Sequence, residues 1–210
     1  MAEAGMRHFS AAEWGGGTFP YAVGHKKLGM WLFILSDSLT FSALLIAYSY
    51  VRVANGNWPT PFHFWPSTVL ATVMTLFLLS SSLSMAMGVA ASRRGDHRAV
   101  VRMILLTLLG GVAFIVLHLN EWMGLLREGV RLGENPWGVP LFGATFFTLT
   151  GLHMLHVASG VIYLGVIAGG VARGRRTHED VEVCGLYWHF VDLVWMFIFP
   201  MVYLLSVGKG

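Results

Sequence analysis

The chain has 210 residues, of which 55 % are hydrophobic and only 12 % are charged, and its formal net charge is +3. Soluble domains carry about 25 % charged residues, so this composition leaves too little polar surface for a water-soluble globule. It excludes a soluble enzyme, a disordered chain and a nucleic-acid-binding protein. The single cysteine, Cys184, excludes an internal disulfide and a four-thiolate metal site. We therefore expect an integral membrane protein.

Five apolar stretches are long enough to be transmembrane helices, since a spanning helix needs about 20 residues. Residues 1–27 are rich in glycine and lack the short apolar core of a signal peptide, so they are interpreted as a retained cytoplasmic tail. The predicted spans are, in chain order, 28–51, 66–91, 99–119, 139–171 and 184–207. The predicted fold class is an all-α, polytopic bundle of five transmembrane helices.

Lysine and arginine are unevenly distributed between the two ends of these spans. The side that includes the N-terminus holds ten of them and the opposite side holds four. Because cytoplasmic loops carry the excess of positive charge, the N-terminus is predicted to be cytoplasmic. Five arginines of this side are candidates for binding anionic lipid headgroups, although ordinary positive-inside topology explains them equally well: Arg93, Arg94, Arg173, Arg175 and Arg176.

The first span contains an acid, Asp37, that lies about 14 Å along the helix at 1.5 Å per residue. A carboxylate at that depth costs about 3 kcal/mol on insertion scales. We expect it to face protein, a trapped headgroup or water, and it is the candidate for a buried functional acid. The alternative is a protonated aspartate that is hydrogen-bonded to a neighbouring helix.

Histidines and acids recur three residues apart in the later spans, which places the two partners on one helical face. One interpretation is a set of satisfied polar links between helices. The other is a bis-histidine haem that uses His189 together with His153 or His156. The pairs are, in chain order, His118 with Glu121, His153 with His156, and His189 with Asp192.

The last two spans resemble the signature of subunit III of cytochrome c oxidase and related haem–copper oxidases. Residues 145–157 read TFFTLTGLHMLHV, and residues 186–195 read LYWHFVDLVW. In that family a phenylalanine-rich helix with the pattern Gly-x-His-x-x-His-Val precedes a helix with the pattern Tyr-Trp-His-Phe-Val-Asp-x-Val-Trp. Glu182 stands seven residues before His189, where the family carries a glutamate.

The resemblance extends over about residues 26–208. Residues 120–122, NEW, resemble the acidic-aromatic end of a family helix, and residues 28–37, LGMWLFILSD, resemble the helix that bears the family's buried acid. That acid is usually glutamate in cytochrome c oxidases, whereas Asp37 matches many quinol-oxidase subunits III. The full-length family has seven spans, so five spans resemble its short bacterial form.

The resemblance implies a non-catalytic subunit of a terminal oxidase in the bacterial cytoplasmic (inner) membrane. It implies that this chain binds no haem or copper, that partner subunits hold those cofactors, and that structural phospholipids bind here. Subunit I is the expected direct partner, with subunit II in the same complex and no nucleic acid, and the subunit is expected to stabilise subunit I and support proton uptake. The polar residues expected to contact lipid or link helices are Glu182 and the three pairs above.

Other functions remain open at this point. Subunit III of a quinol oxidase and the equivalent subunit of nitric oxide reductase share the pattern. A stand-alone membrane cytochrome and a small transporter that relays protons through Asp37 are more remote. Inclusion of the oxidase in a larger respiratory supercomplex is also open.

Overall fold

The computed structural model describes residues 24–207, and these form a bundle of long α-helices. The helices are α1 (His25–Ala54), α2 (Val69–Arg93), α3 (His97–Arg127), α4 (Pro140–Ala172) and α5 (His178–Ile198). All five are long and apolar enough to cross a membrane, which confirms the predicted all-α class with five membrane-spanning helices. A π-helical turn (Phe64–Thr68) precedes α2, and a second turn (Phe199–Tyr203) with a 3-10 turn (Leu204–Ser206) continues α5.

The helices extend beyond the apolar stretches that predicted them. Helix α3 continues to Arg127, and α5 begins at His178, because hydropathy marks where apolar residues stop and not where backbone hydrogen bonds stop. The start of α5 is fixed by a capping box, in which Asp180 Oδ2 accepts from the Thr177 backbone N–H at 2.9 Å. Of the predicted N-terminal tail, residues 1–23 lie outside the described part of the chain.

Trp188 of α5 lies at the centre of the bundle. Its indole Nε1 donates to Ser81 Oγ on α2 at 3.0 Å. Two glycines make room for its ring, since a Cβ at Gly111 of α3 or at Gly160 of α4 would lie within 3.0 Å of Trp188 side-chain atoms. The small residues thus let α2, α3 and α4 pack around one large side chain.

Helix α1 lies at the edge of the bundle and packs against α4 and α5. It buries Phe41 and Tyr48, whereas most of its large apolar side chains are exposed. At its start Lys26 and Lys27 form ion pairs with α5. Near its other end Arg52 donates to Ser206 Oγ at 3.0 Å and also to the Leu205 carbonyl. Both ends of α1 are therefore fixed to the bundle, while its outer face is uncovered.

Candidate functional site

The buried acid of α1 is paired with a histidine of α4. Asp37 Oδ2 lies 3.1 Å from His156 Nε2, and the two side chains are 14 % and 16 % exposed. The other ring nitrogen, Nδ1, lies 2.8 Å from the Leu152 carbonyl oxygen. Because a carbonyl only accepts hydrogen bonds, Nδ1 of His156 carries a proton.

Nε2 of His156 is thus the ring nitrogen that faces the acid. The 3.1 Å contact is a close approach of an acid and a base and not a formed hydrogen bond, since Asp37 Oδ2 has no hydrogen-bond partner among the described residues. An acid beside a base costs less in a membrane than a single carboxylate, because the two can be neutral as a pair. The partner histidine thus explains how α1 accommodates an acid at this depth.

Aromatic side chains pack against this pair on the side that faces the other helices. The ring of Phe41 meets His156 edge to face with centroids 5.2 Å apart. Tyr187 of α5 donates to the His156 carbonyl oxygen at 3.0 Å, and its hydroxyl lies 2.7 Å from Ser159 Oγ. The pair is therefore held by α1, α4 and α5 together.

A second polar cluster lies deeper in the bundle, where α3, α4 and the end of α5 meet. Tyr203 Oη donates to Glu121 Oε2 at 2.6 Å, and His118 Nδ1 lies 3.5 Å from the same oxygen. His118 and His153 are fully buried. Within residues 24–207, neither ring nitrogen of either histidine has a hydrogen-bond partner, and Glu121 Oε1 has none. Buried polar atoms without partners are rare in proteins, so this cluster is a candidate site for ordered water.

Aromatic rings enclose the two histidines of this cluster. His118 stacks on Phe114 with centroids 5.4 Å apart, and His153 stacks on Trp195 with centroids 5.2 Å apart. Phe114 also meets His153 edge to face at 5.6 Å. The low polarity of this shell disfavours a charge on either imidazole, which makes both of them neutral hydrogen-bonding groups.

The third predicted pair makes a contact that the spacing does not predict. His189 and Asp192 share a face of α5, and their spacing allows a hydrogen bond between them. In the structure His189 Nδ1 instead lies 2.6 Å from Ser82 Oγ on α2. Asp192 is buried, and its Oδ1 has no partner among the described residues. The histidine thus connects α5 to α2.

Glu182 belongs to a charged network at the end of the bundle where α1, α3 and α5 begin, which we call the basic end. It pairs with Lys27 at 2.9 Å, with Arg93 at 3.6 Å and with His178 at 3.9 Å. Together these contacts join α1 and α2 to the first turns of α5.

Asp180 extends this network. It pairs with Lys26 at 2.7 Å and lies 4.0 Å from Arg176. Two of the five headgroup candidates, Arg93 and Arg176, therefore have acidic partners. The remaining three are exposed: Arg94, Arg173 and Arg175.

Several residues of these sites were missed by sequence reasoning. Tyr203 is 82 residues from Glu121, and Ser82 is 107 residues from His189, so no local spacing connects either pair. Asp180 had a local signal, since Thr177 stands three residues before it in the pattern of a capping box. The partners of buried acids and histidines thus came mostly from other helices.

Two of the three histidines considered for a haem contact polar side chains through a ring nitrogen, since His156 contacts Asp37 and His189 contacts Ser82. His153 stacks on Trp195, and its ring nitrogens have no partner among the described residues. In the part of the chain that the structure describes, no group of three or more His, Cys, Asp or Glu residues could hold a metal ion. The contacts of His156 and His189 favour polar links between helices.

Comparison with known proteins identifies the family. The model of the family described as cytochrome c oxidase subunit III matches residues 11–207. The chain belongs to this family. The resemblance seen in the segments of α4 and α5 is thereby confirmed, and both signature segments contribute residues to the sites described above.

The relatives include subunits of oxidases with different electron donors. Quinol oxidase subunit 3 of Bacillus spizizenii is 34 % identical over 186 residues, which are 86 % of this chain and 87 % of the relative. Cytochrome c oxidase subunit 3 of Thermostichus vulcanus is 32 % identical over 188 residues, 86 % of this chain and 88 % of the relative. Cytochrome bo(3) ubiquinol oxidase subunit 3 of Pseudomonas putida is 31 % identical over 185 residues, with 86 % of each chain covered. These matches are consistent with subunit III of a haem–copper oxidase.

Proposed function

We propose that this chain packs against subunit I of a terminal oxidase in the bacterial cytoplasmic membrane, with its N-terminus in the cytoplasm. In this role it stabilises the catalytic subunit, retains phospholipid and supports proton uptake. Haem and copper are then held by partner subunits, and subunit II belongs to the same complex.

The observation that carries this proposal is the uncovered face of α1 beside the Asp37–His156 pair. Side chains such as Trp31, Leu35 and Leu39 are more than half exposed there, in a helix that has both ends fixed. A partner helix or acyl chains in contact with this face would complete the exclusion of water from the pair. Membership of the subunit III family, whose members belong to multisubunit oxidases, supports subunit I as the partner.

The pair also supports the proposed role in proton uptake. It places an acid and a base face to face at the seam between α1 and α4, with Oδ2 3.1 Å from Nε2. A proton that moves between two such groups does not create a net charge in the membrane. We infer that the pair can pass a proton near the surface that contacts subunit I.

A cytochrome c oxidase is the proposed assembly, and a quinol oxidase is a second candidate. The second is favoured by Asp37, which stands where cytochrome c oxidases usually carry glutamate, and by the 34 % identity with the Bacillus quinol oxidase subunit. The electron donor is expected to bind to other subunits in either case.

Purification of the intact complex through a tag on this chain tests the proposal. We expect subunits I and II to copurify, together with a haem spectrum that belongs to subunit I. Oxidation of reduced cytochrome c or of quinol by this preparation identifies the donor. Recovery of this chain without any oxidase subunit, from membranes in which the oxidase is intact, would contradict the proposal.

A further inference from the structure

Helices α3 and α4 separate near the basic end and leave an open groove of about 520 Å³ between them. The end of the groove next to the start of α3 is lined by His97, Arg98 and Arg102. Its floor is formed by leucines of α3. The floor leucines are about half exposed: Leu105, Leu106 and Leu109. The groove therefore combines a cationic end with an apolar wall.

The crossing of the two helices explains why the groove ends where it does. Gly111 of α3 faces α4 so closely that a Cβ there would lie 2.9 Å from Val161 Cγ2. A Cβ at Gly165 would lie 3.8 Å from Leu108 on the facing helix. The helices are in contact at these positions and diverge towards their ends, so the groove occupies one side of the crossing.

A second groove lies on the other side of the crossing, with a volume of about 680 Å³. It is lined by both Arg131 and Glu134, so its polar end carries charges of both signs. The groove at the basic end has no carboxylate among its lining residues. The two grooves thus differ in the charge of the ligand that they would attract.

The two arginines of the first groove are free to bind an anion. Arg93 and Arg176, elsewhere at the basic end, have acidic partners. None of the ion pairs formed within residues 24–207 involves Arg98 or Arg102. Because they are four residues apart on a helix, their guanidinium groups project from one face.

The length of the groove indicates a lipid and not a protein helix. From His97 to Leu109 the helix rises about 18 Å at 1.5 Å per residue. The hydrocarbon core of a bilayer is about 30 Å thick, so the groove is about as long as one leaflet. A spanning helix would need a continuous seam, and the contact between α3 and α4 at Gly111 interrupts it.

We propose that this groove binds an anionic phospholipid, with its phosphate on Arg98 and Arg102 and an acyl chain along Leu105, Leu106 and Leu109. The assignment extends the proposed lipid binding to residues outside the set of headgroup candidates, and it rests on that part of the proposed function. A lipid in this position would fill the space between α3 and α4 on one side of their crossing.

Retention of lipid by the intact complex tests this site. The purified complex is supplied with equal amounts of phosphatidylglycerol and phosphatidylcholine, and native mass spectrometry counts the lipids that remain bound. Arg98→Gln and Arg102→Gln are each expected to lower the affinity for phosphatidylglycerol about fivefold, which corresponds to ~1 kcal/mol per surface cation. Arg98→Lys with Arg102→Lys should retain most of the binding, because the charges remain.

Two further variants separate this site from other effects. Arg131→Gln, in the second groove, should leave phosphatidylglycerol retention unchanged. Leu106→Trp keeps both arginines but fills the apolar floor, so it should also displace the lipid. The proposal would be overturned if a variant with both Arg98→Gln and Arg102→Gln retained as much phosphatidylglycerol as the wild type. A protein helix in the groove in a map of the complex would also overturn it. Copurification of oxidase subunits reports on the proposed function independently, so the two can fail separately.

Discussion

Asp37 of α1 and His156 of α4 face each other across the seam between their helices, with Oδ2 and Nε2 3.1 Å apart. The hydrogen bond from His156 Nδ1 to the Leu152 carbonyl fixes the tautomer, so the remaining nitrogen is directed to the acid. The depth of Asp37 in the first span makes it a functional candidate, and its partner explains how the membrane tolerates it.

The protonation of Asp37 can be tested with a hydrophobic carbodiimide, which reacts with a protonated carboxyl group in an apolar site. We expect the reagent to modify Asp37, because an acid in an apolar membrane site is less costly in its neutral form. His156→Phe removes the basic partner and leaves the acid to become neutral by itself, so labelling should become faster. Mass spectrometry of the digested subunit measures both rates. Slower labelling in the variant would contradict the role of His156 as the basic partner of Asp37.

The hydrogen bond between Tyr203 and Glu121 is expected to stabilise the bundle. Tyr203→Phe leaves a buried carboxyl oxygen without its donor, and such a loss costs about 1–3 kcal/mol. Glu121→Gln should cost less, because an amide oxygen still accepts from the tyrosine. Tyr50→Phe is the matched control, since Tyr50 is 75 % exposed. Thermal dissociation of the subunit from the complex provides the measurement, and equal midpoints for Tyr203→Phe and Tyr50→Phe would contradict this prediction.

Ordered water is expected between His118, His153 and Glu121. Their nitrogen and oxygen atoms that have no partner within the described part of the chain are the kind of groups that internal water satisfies in proteins. A high-resolution map of the complex should therefore show solvent density within hydrogen-bond distance of at least one imidazole. A well-resolved but dry cluster, with the side chains in the same orientations, would be evidence against it.

The network at the basic end should hold the first turn of α1. Glu182→Gln removes the charge that pairs with Lys27 and Arg93. Because these pairs are partly exposed, the loss should be at most about 1 kcal/mol, and high salt should weaken the same contacts in the wild type. Tryptic cleavage after Lys27 in membrane vesicles should become a few times faster. Glu134→Gln is the control at the opposite end, and unchanged cleavage in Glu182→Gln would show that the network does not anchor α1.

Composition and hydropathy were enough to predict the class of this fold. Apolar stretches of sufficient length exist for all five helices, and local spacing placed His118 near Glu121. The partners of these residues could not be predicted in the same way. Tyr203 and Ser82 reach Glu121 and His189 only because distant helices pack side by side, and that packing depends on small residues around Trp188.

The start of α5 could be predicted from local sequence, whereas the ion pairs of the arginines could not. The capping pattern at Thr177 was visible in the sequence, although the apolar stretch began later. By contrast, sequence alone does not distinguish an arginine with an acidic partner from one that has none among residues 24–207, because Arg93 and Arg98 belong to the same basic segment. Their difference arises from the position of α5, whose Glu182 contacts Arg93.

Oxygen consumption by the purified complex, with and without this chain, tests its role as an accessory subunit most directly. The activity should be followed over many turnovers at neutral and at alkaline pH, where protons for delivery become scarce. We predict that removal of the chain leaves the haem content and the initial rate largely intact, and that the activity then declines during turnover, faster at alkaline pH. An immediate and complete loss of activity, accompanied by the loss of a haem band from a complex that stays assembled, would contradict this role.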